Sequence, residues 1–304
     1  MSERSTTEGS LRAGTVALVG RPNAGKSTLV NQMVGEHVSI VTHKPQTTRH
    51  RVTGIVNHPR GQVVLVDTPG LHRRRDHALN RHLNRVAAET LPGVDLVVVL
   101  IDASNPTDED RMALQAADQS DQPYLLVFNK VDKVRRRADL LPLAQEWTEG
   151  VTPEAVLYVS ALRDDGVDGL LEAMIDRLPE QPPLYPPDLF TREPMRFLAA
   201  ELVREQLLEN LHQEIPYGTT VVVESFEEEE GGRLAIAARI LVADKRHKGI
   251  VIGKGGQTLK RIGSRARQAM QTLFEQPVRL DLNVAVMERW MDRESLFDRL
   301  GYGR

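Results

Sequence analysis

The residues most clearly equipped for chemistry are Gly20-Arg21-Pro22-Asn23-Ala24-Gly25-Lys26-Ser27, spaced G-x-x-x-x-G-K-S. This pattern wraps the phosphates of a nucleotide, because glycine lets backbone N–H groups approach the anion closely and the helix that follows points its positive end at it. In such a loop Lys26 reaches the β and γ phosphates, the Ser27 hydroxyl binds Mg²⁺, and Thr28 is a further expected nucleotide-binding residue. The flanks agree, with the apolar run Thr15–Val19 before the loop and the helix-forming run Thr28–Met33 after it.

A phosphate loop leaves the base open, and Asn129-Lys130-Val131-Asp132 selects it. The Asp132 carboxylate can accept hydrogen bonds from guanine N1–H and its exocyclic amine, a donor pair that adenine lacks. Asn129 would hold the base or the phosphate loop, the Lys130 stem would cover a ring face, and the Ser160-Ala161 backbone would complete the base site. Asp67-Thr68-Pro69-Gly70 places a strand-terminal carboxylate to hold Mg²⁺ through water, with the Gly70 N–H toward the γ-phosphate. Thr47 or Thr48 should close over the metal, and Thr48 is the favoured choice. Lys26, Thr48, Asp67, Gly70 and Asn23 are thus the residues expected to carry catalysis.

These residues need an alternating α/β framework, and the chain supplies one. Val94–Asp102 is almost continuously apolar, as in a strand buried on both faces, and Pro123–Phe128 and Ala155–Val159 are further strands, with helices near 108–117, 140–147 and 167–178. Val52–Asn57 and Gln62–Asp67, joined by His58-Pro59-Arg60-Gly61, form a hairpin, so the first of the pair runs antiparallel. Thr42–Arg51 lacks periodicity and is expected to be a mobile loop, while Leu71–Leu91 should contain a helix. At 304 residues two domains are expected. The proline-rich stretch divides them: a disordered tail over 1–12, a first domain over 13–180, a linker over 181–194 and a second domain over 195–304. No run is apolar enough to span a bilayer, the polar Met1–Ser10 has no signal-peptide core, and the absence of cysteine excludes disulfides and thiolate chemistry.

The second half reads α-β-β-α-α-β and carries Gly253-Lys254-Gly255-Gly256 between helices, which matches the GxxG loop with which KH domains clamp single-stranded nucleic acid. The net charge of −3 excludes a globally basic protein, yet Asp244–Gln268 holds 8 basic residues against 1 acid. Lys248, Ile252, Gly253, Lys254, Gly255, Gly256, Lys260 and Arg261 are the expected RNA contacts, with Ile250, Leu259 and Ile262 as further candidates for an apolar groove wall. Glu227–Gly232 reads as a solvated acidic turn. His72, His77 and His82 do not share a helical face and are expected to be solvated or near phosphate, Arg73–Arg75 and Arg135–Arg137 to be exposed, and Trp147 and Trp290 to lie in a core or an interface.

The set formed by the phosphate loop, Gln46-Thr47-Thr48-Arg49-His50-Arg51, Asp67-Thr68-Pro69-Gly70-Leu71-His72, Asn129-Lys130-Val131-Asp132, Ser160-Ala161 and Leu300-Gly301-Tyr302 resembles the Era family of translation-factor-like GTPases over nearly the whole chain. The resemblance implies a P-loop GTPase fold, a mostly parallel six-stranded sheet between helices, followed by an α+β type II KH domain. It implies GTP hydrolysis, GTP/GDP and Mg²⁺ as ligands, the 3′ end of 16S rRNA as the RNA, and small-subunit assembly as the process. It further implies a cytoplasmic monomer with weak peripheral contact at the inner face of the membrane. Leu71 stands where Ras-like enzymes carry the water-orienting glutamine and cannot do that work. Relatives with an apolar residue here include K⁺ users with a phosphate-loop asparagine, which makes Asn23 a candidate K⁺ ligand. The alternatives are an RNA-binding module whose nucleotide site only stabilises the fold, and a GTPase of the same class acting on a different RNA.

Overall fold

The computed structural model describes residues 11–44, 47–70 and 77–302. The expectations for Met1–Ser10, Gln46, Leu71, His72 and Arg73–Arg75 lie outside these residues.

The first half alternates strands and helices: β1 (Arg12–Val19), α1 (Lys26–Val34), β2 (Val52–His58), β3 (Gly61–Asp67), α2 (Ala78–Thr90), β4 (Leu96–Asp102), α3 (Asp108–Asp118), β5 (Tyr124–Asn129), α4 (Leu140–Thr148), β6 (Ala155–Tyr158) and α5 (Val167–Ile175). The strands form one sheet in the order β2-β3-β1-β4-β5-β6. Only β2 is antiparallel, because it alone is joined to its neighbour by a tight hairpin. Side chains alternate across a strand, so Leu96, Val98 and Leu100 of β4 enter one core while Val97, Val99 and Ile101 enter the other. Burial on both faces explains the unbroken apolar run. It also aligns the carboxyl ends of β1, β3, β4 and β5, where the chemically active loops emerge.

The second half contains α6 (Met195–Asn210), β7 (Thr219–Glu229), β8 (Arg233–Val242), α7 (Lys245–Ile252), α8 (Gln257–Phe274) and β9 (Val278–Val286). Its sheet has the order β7-β8-β9, with β7 antiparallel and β9 parallel to β8. α6 and α8 share a core with this sheet through Leu202, Leu207, Ile236, Ile240, Ile262 and Met270.

The structure adds contacts to two expectations and corrects a third. The stretch 181–194 is not a free tether: Ile55 N–H donates to Phe190 O at 2.8 Å and Thr191 Oγ1 to Thr53 O at 2.6 Å, covering the outer edge of β2. Glu227–Glu229 is strand rather than turn, its charge held by Arg233 and Arg279 on Glu229. The loop over 42–51 has no regular structure in its described residues, yet side-chain bonds to the second half pin it, as set out below.

Candidate nucleotide and RNA sites

At the carboxyl end of β1 the loop closes against the Asn129–Asp132 segment. Asn129 Nδ2 donates to Ala24 O at 2.8 Å, and Ala161 N–H donates to Asn129 Oδ1 at 3.0 Å. Of the two roles open to Asn129, the structure thus gives it the phosphate loop. Only glycine fits at Gly25: its φ is 103°, and a Cβ there would lie 2.2 Å from Asn129 Nδ2. The Ser160 hydroxyl donates to Asp132 Oδ1 at 2.6 Å, which orients the exposed carboxylate. Ser160 therefore engages Asp132 through its side chain, where only its backbone was expected to take part. The Lys130 ammonium donates to Asn23 O at 2.5 Å and Asp102 at 2.7 Å, so its stem lies along the loop.

The Lys26 ammonium donates to Gly20 O and Arg21 O at 3.0 and 3.1 Å, and burial lowers its pKa to about 8 against the opposing pull of Asp67 and Asp110. Ser27 Oγ donates to Asp67 Oδ2 at 2.6 Å and lies 2.8 Å from Thr48 Oγ1. Thr48 sits 3.3 Å from the same carboxylate oxygen, whereas the Thr47 hydroxyl turns back to Lys44 O and Thr42. Thr48, not Thr47, is the residue brought to Ser27 and Asp67. Ser39, which no motif singles out, also donates to Asp67 Oδ2, at 2.6 Å. Thr28 and Gly70 line the same cavity, and Asn23, with φ 64°, donates through Nδ2 to His43 O at 3.0 Å.

These residues fit Mg²⁺. Asp67 is fully buried, its Oδ1 has no hydrogen-bond partner, and burial pushes its carboxyl above the usual range despite Lys26 and the three hydroxyls. A buried carboxylate left with a free oxygen is suited to a cation or its bound water. The 2.8 Å between the Ser27 and Thr48 oxygens is close to the ~3.0 Å between adjacent ligands of an octahedral ion bound at ~2.1 Å.

In the second half the GxxG turn joins α7 to α8. A Cβ on Gly253 would meet Thr258 Oγ1 at 2.3 Å, while the space before Gly255 and Gly256 is open, leaving their backbone accessible to a phosphate. Lys248, Lys254, Lys260 and Arg261 are exposed around it. Ile252 and Leu259 are half-buried, and Ile250 is 51% exposed. Ile262 is fully buried in the core and is no part of a groove wall.

The loop over 42–51 contacts both the nucleotide site and the second half. Arg49, 2% exposed, donates to Tyr217 O and Thr219 O at 2.8 Å each, at the start of β7. His50 stacks on Tyr302 at 4.6 Å with its Nδ1 3.0 Å from Gly301 O, and burial lowers its pKa to about 4, keeping it neutral. From α6, Arg204 donates to Thr47 O and Glu205 accepts from Val41 N–H, and Leu208 O together with Leu211 O just past the helix receives the Lys44 ammonium. Glu201 holds Arg204 within this buried layer. The helix α2 makes a second contact: Ala78, Leu79 and Leu83 pack with Trp290, Phe297, Leu300 and Tyr302. Of the two described histidines expected to be solvated or near phosphate, His82 belongs here instead, 2.6 Å from Tyr302 O, while His77 stays partly exposed and reaches Asp292 at 3.0 Å.

Comparison with known proteins agrees with this architecture. Residues 15–130 match the family model described as 50S ribosome-binding GTPase, and residues 214–291 match that of the KH domain. The GTPase Era of Xanthomonas oryzae pv. oryzae is 47% identical over 298 residues, covering 98% of this chain and 99% of that one. The chain belongs to the Era family of GTPases. The Era of Stenotrophomonas maltophilia is 46% identical over 95% of this chain and 97% of its own length. Two Era crystal structures, 34% identical, superpose at a TM-score of 0.92 over 97% of this chain and 100% of theirs. One is a point variant of the Aquifex aeolicus protein bound to GDP·AlF4⁻; the other is a complex with MgGDPNP and nucleotides 1506–1542 of 16S ribosomal RNA. Among the described residues, no helix of this Era-family chain is long and apolar enough to cross a membrane.

Proposed function

We propose that this GTPase is a GTP-driven switch that binds single-stranded RNA at the 3′ end of 16S rRNA and acts in assembly of the small ribosomal subunit. The observation that carries the reading is that two consecutive residues face opposite ways: Thr48 reaches Ser27 and Asp67, and Arg49 plugs into the KH half. A ligand that holds Thr48 therefore also holds Arg49.

In this reading Gly20–Thr28 cradle the phosphates, Lys26 meets the β and γ oxygens, and the Gly70 N–H faces the γ-phosphate. Ser27, Thr48 and, through water, Asp67 would hold Mg²⁺, which supplies positive charge to the transferring phosphoryl group. Asp132 reads guanine, oriented by Ser160. Asn23 would hold K⁺ beside the phosphates, supported by the His43 carbonyl that lies against its side chain. On the KH half, Gly253–Gly256 take the RNA backbone, flanked by Lys248, Ile252, Lys254, Lys260 and Arg261.

The test measures binding of a fluorescent 3′-terminal 16S oligonucleotide with GDP and with a non-hydrolysable GTP analogue, each with Mg²⁺, and compares GTP turnover in K⁺ and Na⁺. The reading expects tighter RNA binding with the analogue and faster turnover in K⁺. RNA affinity indifferent to the nucleotide would overturn the switch. Equal turnover in the two salts would remove the role of Asn23 toward K⁺.

A further inference from the structure

Asp102 closes β4 and belongs to none of the sequence motifs. It is 6% exposed and sits between two cations from different nucleotide-binding segments: its Oδ2 lies 2.7 Å from Lys130 Nζ and 3.4 Å from Arg21 Nη2. Oδ1 accepts from the Ser104 hydroxyl at 2.6 Å and the Ser104 N–H at 3.1 Å, which fixes the plane of the carboxylate. Arg21 is further held by Asp110 at 2.8 Å and Asn105 O at 3.0 Å. Asp102 also pairs with Asn129 in the sheet register, so the backbone that carries the carboxylate is tied to the strand that presents Lys130.

Lys130 needs such a partner. It is a non-glycine residue in the left-handed region, φ 63°, a conformation that persists where neighbouring interactions hold it. Its ammonium bonds to Asn23 O and Asp102, one on the phosphate loop and one on β4. Burial pushes the Asp102 carboxyl up, but Lys130 and Ser104 more than offset it, leaving it below the usual carboxylate range.

We infer that Asp102 is a positioning residue that clamps the guanine-reading segment to the phosphate loop, through Lys130 and Arg21, and so sets how long the nucleotide stays bound. It touches neither base nor phosphate in this role. The inference rests on the placement of guanine against Lys130 and Asp132.

Two physical effects oppose each other when the carboxylate is removed. A negative charge near the phosphates is lost, which by Coulomb attraction alone would slow release of an anionic ligand. The clamp is also lost, which frees Lys130 and Arg21 and speeds release. The clamp should win, because Asp102 bonds directly to both cations and its charge is already offset by them.

The experiment is stopped-flow release of a fluorescent GDP from the full chain, chased with unlabelled GDP. Asp102→Asn keeps the size and an acceptor for Ser104; should it not fold, Asp102→Ser takes its place. Loss of a charge-assisted bond predicts faster release by on the order of tenfold. Asp102→Glu, which keeps the charge, should recover part of the loss. In a Lys130→Met background, where the clamp is already open, the same Asp102 change should alter release by less than about twofold, as expected for coupled residues. Unchanged or slower release overturns the inference. So does equal acceleration with and without Lys130, which would mark a local packing role. Asp132→Asn, assayed with guanine and xanthine nucleotides, separates the two readings: no change of base preference removes the base-site placement itself, whereas a change alongside inert Asp102 variants removes only the clamp.

Discussion

Arg49→Ala is the most direct test of how nucleotide and RNA sites communicate. The guanidinium is 2% exposed and donates to two backbone carbonyls at 2.8 Å. Taking the lower end for a hydrogen bond from a charged donor, roughly 1.5 kcal/mol each, the pair stabilises the docked loop by about 3 kcal/mol. That equals a factor of about 150 in an equilibrium constant. Nucleotide that fixes Thr48 can transmit to the KH half at most what the loop's contacts are worth, and Arg49 makes two of the most buried ones. Linkage requires that GTP change RNA affinity by the same factor by which RNA changes GTP affinity. The assay is calorimetric titration of both sides of that cycle, with a non-hydrolysable GTP analogue and a 16S 3′-end oligonucleotide. In the parent protein the two factors should match and exceed unity. In Arg49→Ala both should fall together by at least tenfold or to unity, with the affinity for nucleotide in the absence of RNA changed far less. Arg49→Lys, which keeps the charge but loses the planar guanidinium fork, should fall between. Coupling that survives Arg49→Ala within about twofold would refute the latch and shift the burden to α2 and its contact with Trp290 and Tyr302.

Three further outcomes follow from particular contacts. Ser39→Ala removes one of three hydroxyls on Asp67 and should weaken Mg²⁺ binding in the nucleotide complex by about tenfold, a typical loss for an outer partner of a metal ligand; an unchanged Mg²⁺ titration of nucleotide release would count against it. Asp132→Asn exchanges an acceptor for a donor, so competition binding should show guanine nucleotides losing at least a hundredfold and xanthine nucleotides gaining relative to them. Glu201→Gln leaves Arg204 buried without its ion-pair partner and should destabilise the protein by about 3 kcal/mol, read as a lower midpoint in urea, whereas Glu230→Gln on the exposed hairpin turn should not.

Much of this protein was legible from local pattern. The phosphate loop, Asp67 at a strand end, Asn129–Asp132 and the GxxG turn are short, and each works through backbone geometry that neighbouring residues impose, so type and spacing suffice to read them. The same is true of the α/β alternation, because a strand buried on both faces has to be apolar throughout.

Contacts between remote segments were not legible. Glu201, Arg204 and Glu205 carry no motif, and nothing local marks them for burial; in the structure they are buried, with Arg204 bonded to Thr47 O and Glu205 to the Val41 N–H. The proline-rich stretch read as a linker, and the open edge of β2 makes it a cover as well. Ser39 and Asp102 carry no motif, and their importance comes from what lies opposite them: Asp67 in one case, Lys130 and Arg21 in the other.

The sequence by itself therefore determined the chemistry at each site and the order of the elements, because both depend on residues close together in the chain. Only the tertiary structure decided that Thr48 and Arg49 look in opposite directions, one to the nucleotide site and one to the KH half. That arrangement depends on burying charged groups against partners 157 to 170 positions away, and no local pattern encodes it.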